Sequence, residues 1–159
     1  MKKIISLVFA LFLVLSAYAQ SADVITDILD TEEVTFGQVG YLTAVQMKLI
    51  EEDASYEDAL SVLYEKGYIP SIEDEDSPIP AVDVVYLYSK LWTIKGGLLF
   101  RLTKGSPRYA FRQFQSDGII STDLDPSAYI SGVKALSIYT ACVNKYSDFN
   151  MKTVSMEAD

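Results

Sequence analysis

Ser106–Val143 reads SPRYAFRQFQSDGIISTDLDPSAYISGVKALSIYTACV. Ser106 before Pro107 opens a helix, because a hydroxyl can cap orphan amides and proline has no amide to lose at the first position. Ala110, Phe111 and Phe114 give that helix an apolar face. Asp117-Gly118 ends it, Ile119-Ile120 turns inward, and Asp123-Leu124-Asp125-Pro126 forms an acidic loop. A second apolar helix is then expected over about 131–146, followed by a frayed tail over 148–159.

The same pattern stands upstream. Sliding the chain by 51 positions pairs Ala59 with Ala110, Gly67 with Gly118, Ile69 with Ile120, Asp74 with Asp125, Ile79 with Ile130, Val82 with Val133 and Tyr88 with Tyr139. Leu60 and Leu63 take the places of Phe111 and Phe114. These matches fall on helical apolar faces and on the helix-ending glycine, so helix-loop-helix patterning contributes to them; a true repeat is the favoured reading. Thr35-Phe36-Gly37-Gln38 forms a capping box ahead of Val39, Leu42, Val45 and Leu49, predicting a helix over about 36–50. Its Val34, Val39, Tyr41 and Leu42 fit Ile79, Val84, Tyr86 and Leu87. The chain thus reads as a half unit (34–50) and two units (55–92 and 106–143) in one helical domain, 20–147. Each unit alone has too little apolar surface to fold, and stacking closes a common core. The fold class expected is mainly α, a compact helical bundle of repeated helix-loop-helix units.

Between the units lies Thr93–Gly105, TIKGGLLFRLTKG, where Leu98–Thr103 fits either a short strand or one and a half helical turns. Leu98-Leu99-Phe100 is expected to pack into the core rather than to meet a membrane surface. Upstream, Ser21–Glu33 reads as a short helix followed by a loop.

A helix, Gly-Ile-Ile, a polar loop with a proline turn, then Ile130-Ser131 or Val34-Thr35 before an apolar helix resembles the S-layer homology repeat. The resemblance spans most of the chain beyond residue 19. It implies a helical bundle that binds anionic cell-wall polymer or peptidoglycan, chiefly through a Thr-Arg-Ala-Glu motif. Here Ser131-Gly132-Val133-Lys134, Pro80-Ala81-Val82-Asp83 and Thr35-Phe36-Gly37-Gln38 stand at that place, and none contains the arginine.

Met1-Lys2-Lys3, an apolar run from Ile4 to Leu15 and Ala17-Tyr18-Ala19 before Gln20 match a secretory signal over 1–19. Export across the inner membrane to the periplasm or cell surface is expected. The apolar run is shorter than the roughly 20 residues that span a bilayer, so no integral membrane protein is expected. Cys142 is the only cysteine, which leaves a buried structural thiol. Histidine is absent, removing Ser-His and Cys-His catalysis and most zinc chemistry. Asp123-x-Asp125-x-Ser127 begins like a calcium loop, but Ala128 replaces the glycine of the sixth position and Lys134 the acid of the twelfth. No catalytic residues, cofactor or metal are expected.

Charge gives the sharpest functional signal. Without Lys2 and Lys3 the chain carries 11 basic and 22 acidic residues, a formal −11. Yet Val84–Ser116 holds Lys90, Lys95, Arg101, Lys104, Arg108 and Arg112 and no acid. Arg108 and Arg112, four apart, share a helix face opposite Phe111 and Phe114, with Tyr109 alongside. The guanidinium fork suits planar oxyanions. Arg101, Lys104, Arg108, Tyr109 and Arg112 are therefore the candidate ligand-binding residues. The competing use of these cations is pairing with the acidic loops Glu51–Asp53 and Glu73–Asp76. A nucleic-acid partner is not expected for a chain so acidic overall. The expected function is non-enzymatic binding of cell-wall polymer or peptidoglycan by this basic face. The alternative is a structural or assembly subunit whose partner is another envelope protein.

Overall fold

In the computed structural model the described residues are 24–146, except Thr93, Lys95 and the side chain of Leu99. The expected signal, 1–19, and the expected tail, 148–159, lie outside them. Helix α1 covers 24–30. Thr35 then accepts the Gln38 N–H at 3.3 Å while Gln38 accepts the Thr35 N–H at 3.2 Å, and this reciprocal pair starts α2, Phe36–Gln46. The helix stops short of residue 50 because Lys48 enters the left-handed region at φ 57.

Ser55 and Asp58 repeat the reciprocal cap at the start of α3, Tyr56–Glu65. Gly67, at φ 71, takes the left-handed conformation that terminates it. Helices α4, Ala81–Leu91, and α5, Leu98–Leu102, follow. Of the two readings of 98–103, a short strand or one and a half helical turns, the helical one forms. Helix α6, Pro107–Ser116, has proline at its first turn, and the Ser106 side chain makes no capping bond. Gly118 closes it at φ 74, and α7 runs Gly132–Tyr146. Among the described residues no strand forms, only isolated bridges between Thr35 and Pro78 and between Pro80 and Tyr129. The molecule is mainly helical.

The orphan amides at three helix starts are satisfied by neighbouring loops. Phe36 and Gly37 donate to the carbonyls of Ser77 and Glu75 at 3.0 and 2.9 Å. Ala81 and Val82 donate to Ala128 and Pro126 at 2.8 and 2.9 Å. Gly132 donates to Thr31 at 2.9 Å. Three loops thereby seat the starts of helices other than the ones they lead into, and the last seating joins the two ends of the domain. At the centre, Ile79 donates to Val34 and Val34 to Ile130, both at 2.9 Å, with all three side chains buried.

Helix α4 packs against α2, α6 and α7. Around its C-terminal half Tyr88 meets Tyr139 at 5.7 Å between ring centroids, Trp92 meets Tyr139 at 5.7 Å and Tyr146 at 6.0 Å, and Phe114 meets Tyr146 at 6.1 Å. These tilted and edge-on pairings suit the aromatic quadrupole. Phe114, fully buried, is how α6 is held down, and its placement orients the outer face of that helix toward solvent.

Candidate functional site

With Ala110, Phe111 and Phe114 turned into the core, the 3.6-residue period sends Arg108 and Arg112 outward, and both are exposed. The segment before α6 is held over it by Phe100. Gly96 and Gly105 leave room for that ring: a Cβ at Gly105 would come within 2.9 Å of it, and one at Gly96 would overlap it. Gly105 also occupies the left-handed region at φ 67 and donates to the Phe100 carbonyl at 2.8 Å, which closes the turn after α5.

A chain of hydrogen bonds ties this segment to the body. Gly97 N–H donates to Gln113 Oε1 at 3.2 Å, and Gln113 Nε2 donates to Asp117 Oδ1 at 3.0 Å. Tyr146 Oη donates to Asp117 Oδ2 at 2.6 Å. Helices α6 and α7 and the loop before α5 are thus fixed relative to one another. Between α6 and the segment before it opens a pocket of about 270 Å³ lined by Gly97, Leu98, Phe100, Tyr109, Arg112 and Gln113.

Of the five candidate residues, the structure brings Tyr109 and Arg112 into this pocket. Arg108 is exposed one turn before Arg112, Arg101 is exposed on α5, and Lys104 is exposed in the turn after it at φ 53. Lys95 lies outside the described residues. No carboxylate oxygen among the described residues lies within 4.0 Å of the charged groups of Arg101, Lys104, Arg108 or Arg112. Pairing with the acidic loops therefore does not occur at these four. The reason is architectural: α6 packs on α4 and α5, whereas Glu51–Asp53 leads into α3 and the Glu73–Asp76 loop seats the start of α2. Lys90 behaves differently. It lies half-buried with Nζ 4.1 Å from the Tyr86 ring centre, and burial lowers its pKa.

Core packing holds for only part of the Leu98-Leu99-Phe100 run. Phe100 turns inward, but Leu98 is 81% exposed, because a single helical turn cannot bury both of two faces 200° apart. Gln113, which both pins Gly97 and lines the pocket, was not among the candidates. No local pattern marks Gln113 in the sequence; Gly96 and Gly105 are where the backbone comes close to the Phe100 ring.

Carboxylates gather elsewhere. A pocket of about 400 Å³ is lined by Val24, Tyr41, Glu52, Asp53, Ala54, Ser55 and Tyr56. Burial, and then the charges of Glu52 and Asp53, raise the pKa of Tyr41. Asp83 lies in a smaller crevice beside Tyr86 and Glu73, where burial and then the Glu73 charge hold its pKa above the usual carboxylate value. Cys142 is buried, and desolvation followed by the charge of Asp117 pushes its thiol far up, keeping it neutral. In the 121–127 loop, Ser121 donates to Asp123, and Asp125 Oδ1 accepts both the N–H and the hydroxyl of Ser127 at 2.8 Å. Among the described residues no three His, Cys, Asp or Glu side chains gather as metal ligands, and no helix is long and apolar enough to cross a membrane. No family model matches the chain, and neither does a curated protein or a solved structure.

Proposed function

We propose that this chain is a non-enzymatic binding module that holds an anionic cell-envelope polymer, wall glycan or peptidoglycan, on the face formed by α5 and α6. The observation that carries the reading is the set of exposed cations Arg101, Lys104, Arg108 and Arg112, unpaired among the described residues of a strongly acidic chain. An exposed arginine with no internal partner keeps its fork free for a carboxylate or phosphate. Tyr109 beside Arg112 supplies a ring against which a sugar can lie, and the pocket between them has room for one acidic group.

We also read the bundle as repeated units of the kind found in S-layer homology domains. Support comes from the 51-residue offset that relates α3 to α6 and the start of α4 to that of α7, and from the recurring seating of helix starts on neighbouring loops. In this reading the chain keeps the scaffold and has moved its cations from the start of the second helix to the first helix of the last unit.

Co-sedimentation with purified sacculi tests the proposal. Binding that weakens with salt is expected. Replacing Arg108 and Arg112 by the residues at the matching positions of α3, Arg108→Glu with Arg112→Ser, is expected to lower affinity at least about tenfold while leaving stability within about 0.5 kcal/mol. Absence of salt-sensitive binding by the unaltered protein would overturn the reading.

A further inference from the structure

We infer that α5 is a membrane-docking knob, which seats the protein on an anionic lipid surface through Leu98 and Leu102. On a helix of 3.6 residues per turn these two leucines lie about 40° apart, with Arg101 about 60° to the other side of Leu98, while Phe100 points away from them. The structure follows that geometry. Leu98 and Leu102 are 81% and 77% exposed, the two most exposed large apolar side chains among the described residues, whereas Phe100 packs back between Gly96 and Gly105. The inward ring and the bond from Gly97 to Gln113 hold the turn in place, so the leucines project from a fixed base.

The surroundings select the occupant. Leu98 forms one wall of the pocket beside α6 while Leu102 stands outside it, and a bilayer interface accepts protruding apolar side chains without a matching cavity. Arg101 and Lys104 are exposed beside the leucines, and no acid occurs from Val84 to Ser116. At physiological ionic strength fields decay over about 8 Å, so an approaching headgroup layer senses these cations more strongly than the distant acidic loops. The acidity of the rest of the chain then orients the molecule, presenting only this corner to an anionic surface. This inference rests on the exposure of Leu98 and Leu102 and shares Arg101 and Lys104 with the polymer reading.

The test is flotation of the purified, processed protein with vesicles of mixed phosphatidylglycerol and phosphatidylcholine, and with phosphatidylcholine alone. Binding to the mixed vesicles, weakened by salt and weak on the neutral ones, is expected. The pair Leu98→Ser with Leu102→Ser should lower vesicle binding at least about tenfold with the helical circular dichroism unchanged, since both side chains lie outside the core, and Leu102→Ser alone, outside the pocket that Leu98 lines, should lower vesicle binding and leave sacculus binding unchanged. The pair Arg101→Ala with Lys104→Ala should flatten the salt dependence. Failure of the unaltered protein to bind anionic vesicles would overturn the inference. So would equal vesicle binding by the leucine variant, or a leucine effect confined to self-association seen as a change in size by gel filtration. Loss of sacculus binding with vesicle binding intact would overturn only the polymer reading.

Discussion

Helices α3 and α4 and helices α6 and α7 make two pairs whose starts correspond and whose details do not. Tyr56–Glu65 and Pro107–Ser116 are each ten residues long, and Ala81 and Gly132 start the partner helices at matching positions. Gly67 and Gly118 share a left-handed conformation, with φ of 71 and 74. The pairs part company where their neighbours differ. Ala81 fits its methyl into the core, whereas Gly132 meets the end of α1 so closely that a Cβ there would fall on the carbonyl oxygen of Ile28. Ser55 caps its helix through a reciprocal bond with Asp58, and Ser106 leaves that role to proline. The outer face carries Glu57 and Ser61 in one pair, Arg108 and Arg112 in the other. Backbone geometry accounts for what the pairs share, and the identity of the packed neighbour for what separates them.

The largest difference should come from the core. Phe114→Ala removes the ring that meets Tyr146 and is expected to cost about 4 kcal/mol in urea unfolding, more than the roughly 3 kcal/mol expected for Leu63→Ala at the matching position. Equal costs would mean that the aromatic cluster adds nothing beyond filled volume. Next, Gly132→Ala should cost about 3 kcal/mol, because only backbone movement of α1 can make room, while Ala81→Gly should cost only about 1 kcal/mol. If Gly132→Ala were tolerated, the contact between α1 and α7 would be loose in solution.

Smaller effects sharpen the comparison at the helix starts. Ser55→Ala is expected to cost about 1 kcal/mol and Ser106→Ala only a few tenths, roughly 0.3 kcal/mol, measured by thermal or urea melting. A further small effect concerns Asp83, whose counterpart is Lys134. Its pKa in the folded protein is raised above the unfolded value by burial and then by Glu73. The folded state therefore holds this proton more tightly, and the stability so gained is present in acid and lost as pH rises through the folded pKa. Asp83→Asn should accordingly stabilise the protein near neutral pH, by less than about 1 kcal/mol given partial solvent screening, and the gain should vanish at low pH. A gain that persisted in acid would rule out the titration as its cause.

Much of the scaffold was legible because it depends on local chemistry. The capping box at Thr35, the glycines after α3 and α6 and the apolar faces of α2 and α6 each specify a few neighbouring residues. The candidate cations were legible as a charge run, and the exposure of Arg108 and Arg112 followed from the inward pull of Phe111 and Phe114. The pocket was not. It depends on Phe100 folding back between Gly96 and Gly105 and on Gln113 reaching Gly97, sixteen positions away. Neither event has a period or a motif.

By itself, then, the sequence determined where α2 starts, where α3 and α6 stop at glycine and which face of α2 and α6 is apolar, since caps, glycines and spacing act within a turn or two. Only the tertiary structure decided that Gly132 receives α1, that the Glu73–Asp76 loop seats the start of α2 instead of neutralising the arginines, and that Leu98 faces water. Those outcomes depend on which distant segment arrives beside a residue, and the arrival is settled by packing the whole chain around Val34, Ile79 and Ile130.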